Sequence, residues 1–275
     1  MKKFFAIMLT LTMMLSIASV HVFAVENTEY DEVDTLQTGE YSASESAYSV
    51  LYDYNAVVTY LKNEYSKYSS VTVGSMETTV SKLNVYNFSQ TTLNTHYNAL
   101  STREYEDGIS GTCAEVAITM MTDYMIRAGK ISTTAATDKY SIFNRIVHEA
   151  YLLGWDGSGT LVSMINNIMD NNFENYTPVY STDHSTLLLQ SKLEDSIKAG
   201  IPAVVNLEGH SVTGVGFVTV DVTYTSKNIF GISTTKTATE VFLVINNGWH
   251  DATSGYYQYS YVPFGDVKSI EVPEK

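Results

Sequence analysis

Apolar and polar positions along this chain fall into two textures. Through the first two thirds, apolar residues recur every three or four positions. Val50, Leu51, Tyr54, Val57, Val58, Leu61 and Tyr65 share one face of a helix over 48–66. The same spacing predicts helices over 113–128, ended by Gly129, and 138–153, ended by Gly154. Two more are expected over 160–171, after Gly157-Ser158-Gly159, and over 185–199, stopping at Gly200. Residues 70–100 read less clearly, with a strand or loop over 72–79 and a short helix over 90–100. After Gly200 the period drops to two. Ile201 to Leu207 reads as a strand, and in 210–224 Val212, Gly214, Gly216, Val218, Val220 and Val222 fall on one face. Residues 240–246 and 255–262 read as two further strands joined by a turn rich in Asn, Gly, Asp and Ser. Helices first and an antiparallel sheet later define an α+β class.

The N-terminus changes the picture of location. Lys2 and Lys3 precede an apolar run from Phe4 to Ile17, which closes on Val22-Phe23-Ala24. A basic start, a short apolar core and a small-x-small ending are expected of a signal peptide over 1–24, and so of a secreted, extracellular protein. The run is too short to span a bilayer, and no membrane partner is expected after signal removal. Residues 25–47 are acidic, rich in Ser and Thr, and poor in apolar residues. The stretch 25–95 is read as an acidic leader, either a pro-segment or an integral part of the fold. Losing the two signal lysines takes the formal net charge from −14 to −16. That acidity argues against a nucleic-acid partner, whose phosphates are held by lysine and arginine.

The chain has one cysteine, Cys113, which cannot form an intramolecular disulfide. A lone thiol in an oxidising compartment is either a buried small hydrophobe or a nucleophile. Thr112-Cys113-Ala114-Glu115 fits a capping box, which places Cys113 at the first helical position. Unpaired amides and the helix dipole favour an anion there, so a depressed thiol pKa is expected. Val116, Ala117, Met120, Met121, Tyr124 and Met125 make this a core helix, with Glu115, Thr119 and Asp123 as its polar stripe. Gly108 and Gly111 would let a substrate approach the backbone.

A thiolate needs a base. Of the five histidines after the signal, His96 and His184 lie in polar stretches, His148 within a helix, and His250 in a turn. His148-Glu149 lacks the second histidine of a zinc helix, so no metal is implied. His210 opens the alternating strand after Gly209 and is the candidate base. In Val244-Ile245-Asn246-Asn247-Gly248-Trp249 an amide could orient the imidazole and the indole could shield it. An Asn-Gly hairpin turn reads equally well there.

These segments, "GTCAEVA" with Cys113, "GHSVTGVGF" with His210 and "INNGWHDATSGYY", occur in the order Cys, His, Asn. The chain thereby resembles papain-like bacterial cysteine peptidases of the streptopain-like and bacteriocin-leader-peptidase-like groups, over roughly residues 105–265. The resemblance implies a papain-like fold over 96–275, a helical lobe with a central Cys-bearing helix packed against an antiparallel β-sheet lobe. It implies Cys113 as nucleophile, His210 as base and acid, Asn246 (or, second, Asn247) as orienting amide, and Trp249 as shield. Peptide bonds of a peptide or protein substrate would be hydrolysed with no cofactor. The sequence departs from the pattern at Asp107, where the family carries a glutamine donor to the oxyanion, and at Asn247, which replaces the first Trp of "NWGW". Asp107 keeps alive a catalytically impaired domain that binds peptide or cell-wall ligands. A related acyltransferase or amidase is the third reading.

Overall fold

The two textures become helices and strands that meet across one sheet. A computed structural model describes residues 50–101, 103–172, 177–181, 186–249, 251 and 259–274. The signal and leader to residue 49, His184, His250 and residues 255–258 of the last expected strand lie outside them. Residues 44–275 form one unit.

Helix α1 (Tyr54–Glu64) starts where Asp53 accepts from the Ala56 amide, and α2 (Gln90–Asn98) where Ser89 accepts from Thr92. Strand β1 (Ser69–Val80) lies between them. Helix α3 (Cys113–Arg127) is followed by α4 (Lys139–Leu152), capped by the Asp138 carboxylate on the amides of Tyr140 and Ser141. Then come α5 (Val162–Asn172), β2 (Thr177–Ser181) and α6 (Thr186–Lys198). The C-terminal part supplies β3 (Ala203–Leu207), β4 (His210–Lys227), β5 (Ser233–Asn246), β6 (Ser260–Pro263) and β7 (Ser269–Glu274). Among the described residues no helix is long and apolar enough to cross a membrane.

The sheet has seven antiparallel strands, six in the order β2-β7-β3-β4-β5-β6 and β1 off that path, paired with β4. The eighteen-residue β4 is its axis. Strand β5 runs along one edge of β4. The other edge is shared, by β3 against residues 210–214 and β1 against 217–225. Residues from 50 to 95, read from the sequence as leader, thus contribute a helix and a sheet strand to the same unit.

Alternation along the strands divides the core between the two faces. Val204, Val215, Val218, Val220, Val222, Phe242 and Val244 pack with α1 to α5, while Val205, Val212, Phe217, Leu243 and Ile245 pack with α6. The single face expected for 212–222 is therefore split. A register shift between Gly214 and Gly216 turns Val212 to one side and Val218, Val220 and Val222 to the other. Gly216 is needed where the chain at 80–82 crosses, since a Cβ would come within 3.1 Å of Val80 O and Lys82 Cα.

Helix α3 is buried on nearly every side. Its polar stripe does not face water, because each member has a partner inside. The Glu115 carboxylate accepts from the Thr160 hydroxyl, Thr119 Oγ1 donates 2.7 Å to the Glu115 carbonyl, and Asp123 pairs with Arg127 at 2.8 Å.

Candidate active site

The N-terminus of α3 points at the start of β4. The Ser211 amide donates to Cys113 Sγ at 3.4 Å, so the peptide joining His210 to Ser211 lies against the sulfur. One turn further along the helix, Thr213 Oγ1 donates to the Ala117 carbonyl at 3.1 Å. These two contacts fix the helix against the strand in register. The Ser211 hydroxyl donates 2.7 Å to Asn206 Oδ1, and Asn206 Nδ2 donates to Ser269 Oγ at 3.1 Å. A polar chain across β4, β3 and β7 therefore holds the residue that touches the thiol.

The capping box is not formed. Thr112 Oγ1 donates to Asn94 Oδ1 at 2.7 Å, and the Glu115 side chain turns to Thr160. Thr112 ties the helix start to α2, and Glu115 ties it to the loop before α5. That loop also grips the preceding segment: the Ser110 amide donates to the Gly157 carbonyl at 2.9 Å, and Tyr105 donates to the Trp155 carbonyl at 2.7 Å. Gly111 has φ of 60°, and a Cβ there would meet Gly159 N at 2.8 Å. The segment before Cys113 is thus clamped. Asp107 lies exposed in the turn just before it, closed by the Gly108 amide on the Tyr105 carbonyl.

Cys113 is partly buried. Burial pushes its thiol above the ordinary range; the Ser211 and Ala114 amides pull it back and the Glu115 carboxylate adds to the rise. This corrects the expected depression at a helix N-terminus: desolvation of the anion outweighs the amides that would stabilise it. His210 is 9% exposed. Burial holds its pKa below the usual value, partly offset by its bond to Asn247. Burial thus favours the neutral form of each group.

His210 Nε2 meets the Asn247 main-chain carbonyl at 3.1 Å. A carbonyl only accepts, so Nε2 carries the proton and Nδ1 is the ring's acceptor nitrogen. Trp249 stacks on the imidazole with centroids 5.2 Å apart and planes 26° from parallel, and its other neighbour is Tyr52 at 6.3 Å. Asn246 is fully buried; its Nδ2 donates to the Val85 carbonyl at 2.7 Å, and its Oδ1 has no hydrogen-bond partner. Asn247 Oδ1 accepts from the Trp249 amide at 3.0 Å and Nδ2 donates to Ser260 Oγ at 3.1 Å. The turn is braced by Asn87, whose Oδ1 accepts from the Gly248 amide at 3.1 Å, and by the Gln90 amide on the Gly248 carbonyl at 2.7 Å.

Cys113, His210, Asn247 and Trp249 thus gather where α3, β4 and the end of β5 meet. Sequence reasoning missed Ser211, Asn206, Asn87 and Val85. Ser211 carried a signal, since it adjoins the candidate base and alternates onto the face that Thr213 also presents. Two other described histidines stand apart in character. His96 stacks on Tyr140 at 4.0 Å, and His148 Nδ1 pairs with Glu104 at 2.8 Å.

Fold and site define an α+β protein in which a lone cysteine, at the start of a buried helix, abuts a sheet strand that begins with histidine. No protein-family model and no curated protein matches the chain. Among solved structures it is similar to a chain described as "Crystal structure of UfSP from C.elegans", at 12% identity and a TM-score of 0.41, over 74% of this chain and 34% of that one. This chain accordingly spans about a third of the length of that structure's chain.

Proposed function

We propose that this protein is a secreted cysteine peptidase of papain-like fold, hydrolysing peptide bonds with Cys113 as nucleophile and His210 as general base and then acid. The observation that carries this reading is the 3.4 Å contact from the Ser211 amide to Cys113 Sγ, made by the residue that follows His210. The Asn247 carbonyl on Nε2 supports it, because it leaves Nδ1 as the basic nitrogen.

In this mechanism Nδ1 takes the thiol proton as sulfur adds to the scissile carbonyl. The resting neutral pair becomes an imidazolium beside an oxyanion, and the Cys113 amide at the helix N-terminus is placed to stabilise that anion. The imidazolium then gives its proton to the leaving amine as the C–N bond breaks, leaving a thioester. Water, deprotonated by the same nitrogen, cleaves the thioester and releases the carboxylate. The Asn247 carbonyl and the Trp249 face hold the ring through both proton transfers. No cofactor is required. Asp107 replaces the family's oxyanion amide, and loss of such a donor typically costs about a hundredfold or more in rate; slow turnover is expected.

A peptide-library digestion by the exported protein tests the reading. Cleavage abolished by Cys113→Ala supports it. A second reading, an impaired domain that binds peptide or cell-wall ligands, is favoured by Asp107 together with the burial that keeps the thiol protonated. Binding of library peptides without cleavage of any would establish that one.

A further inference from the structure

The end of the β4–β5 hairpin carries the two most exposed large apolar side chains among the described residues, with a third beside them. Ile229 is 93% exposed, Phe230 80% and Ile232 61%. Strand β1 accompanies β4 only as far as Thr225, so residues 226–234 extend as a two-stranded finger past its edge. From this arrangement we propose that the finger's tip inserts into the interface of an anionic lipid bilayer. The inference is independent of the catalytic reading. It departs from the expectation of no membrane partner, which rested on the lack of a spanning segment.

Three observations argue for lipid. First, the tip is apolar and convex, a shape suited to entering a soft interface rather than receiving a partner's side chains. Exposed apolar side chains gathered in one place mark interaction sites. Second, four of the tip's amides, those of Asn228, Phe230, Gly231 and Ile232, are already paired within it. The Asn228 amide donates to the Ile232 carbonyl at 3.0 Å and the Gly231 amide to the Asn228 carbonyl at 2.9 Å. Asn228 Oδ1 accepts from the amides of Phe230 at 3.0 Å and Ile232 at 2.9 Å. Backbone polar groups that enter an apolar medium unpaired are costly, and the Asn228 side chain removes that cost for two amides before contact. Third, the charge is local and of the right sign. Between Asp221 and Glu240 the chain has no acidic residue and two exposed lysines, Lys227 and Lys236, in a protein of formal charge −14. Lys227 pairs across the hairpin with Ser233, directly behind the tip. Lysines behind an apolar tip meet anionic headgroups once the tip is in, each worth roughly a fivefold gain in binding.

The test introduces an indole at the tip with Phe230→Trp and reads its fluorescence above the background of Trp155 and Trp249. Vesicles contain three parts phosphatidylcholine to one part phosphatidylglycerol, with or without brominated acyl chains. Because the new indole reports its own depth, the apolar run at 4–17 cannot produce its signal. Quenching by brominated anionic vesicles is expected, with binding weaker by roughly 25-fold on pure phosphatidylcholine, from the two lysines together. Adding Ile229→Asp and Ile232→Asp, which lie in solvent and disturb no core, should abolish it. An indole that stays unquenched with anionic vesicles overturns the proposal. So does quenching that survives both aspartates. Sedimentation without lipid supplies the remaining arm: self-association dispersed by Phe230→Asp would assign the tip to a second copy and overturn the lipid.

Discussion

The Ser211 amide donates to Cys113 Sγ across 98 positions of sequence, and together with the Thr213 bond to Ala117 it seats the helix that carries the thiol on the strand that begins with His210. Ser211 also donates its hydroxyl to the buried Asn206. Ser211→Ala leaves the amide in place but strips Asn206 Oδ1 of its donor. A loss of about 1–3 kcal/mol is expected in denaturant unfolding, the cost of an unsatisfied buried acceptor.

Neutral partners at rest give a pH signature. Burial raises the Cys113 thiol and lowers the His210 imidazole, and both shifts disfavour a thiolate–imidazolium pair. Alkylation by iodoacetamide should be slow at pH 5–6 and climb steadily into the alkaline range, following thiol ionisation. A fast plateau at acidic pH would contradict this assignment of charge.

Two buried carboxyls set the stability profile. Glu115 is pushed up to about 7 and Glu271 to about 8, in both cases mainly by burial. Neither side chain reaches water, and both Glu271 oxygens lack hydrogen-bond partners. The folded state thus holds protons that the unfolded chain releases above roughly pH 4.3. Stability is fully present below that pH and falls as pH rises through 7 and 8. For Glu115 the loss is on the order of 3 kcal/mol. Melting temperature should decline from pH 5 to pH 8.5, and Glu115→Gln and Glu271→Gln should each flatten the slope. A melting temperature that rises over this window would contradict the buried, protonated state.

The segment before residue 96 offers a fourth prediction. Strand β1 covers an edge of β4, and Val85 and Asn87 brace the turn carrying Asn246 to Trp249. A chain starting at residue 96 should fail to fold, and the active secreted form should retain residues 50–95 by mass. An active product beginning near 96 would return the segment to the role of a removable pro-segment.

Much of the helical half was legible because its signals are local. Apolar spacing and the glycine stops at 129, 154 and 200 depend on neighbouring residues only. Strands β2 and β7 were not legible. Glu271 interrupts an apolar run at a position that is nonetheless fully buried, and Pro178 and Pro273, paired across the strands, read as breakers. The far hairpin was read short because its threonines alternate with nothing. At the site, Cys113 and His210 stood out by residue type and position. The bracing by Asn87, Val85 and Asn206 comes from long-range pairing and leaves no mark on local pattern. The thiol's upward shift was missed for the same reason: helix position is local, whereas burial is a property of the whole fold.

The central claim is that Cys113 and His210 act as one unit on a peptide carbonyl. Its most direct measurement is the rate at which a peptidyl fluoromethyl ketone modifies Cys113, in the wild type and in His210→Ala. A fall of about a hundredfold or more in the variant, with iodoacetamide reactivity at pH 9 largely preserved, is the predicted result. Equal rates in the two proteins would show that the imidazole takes no part and would contradict the account.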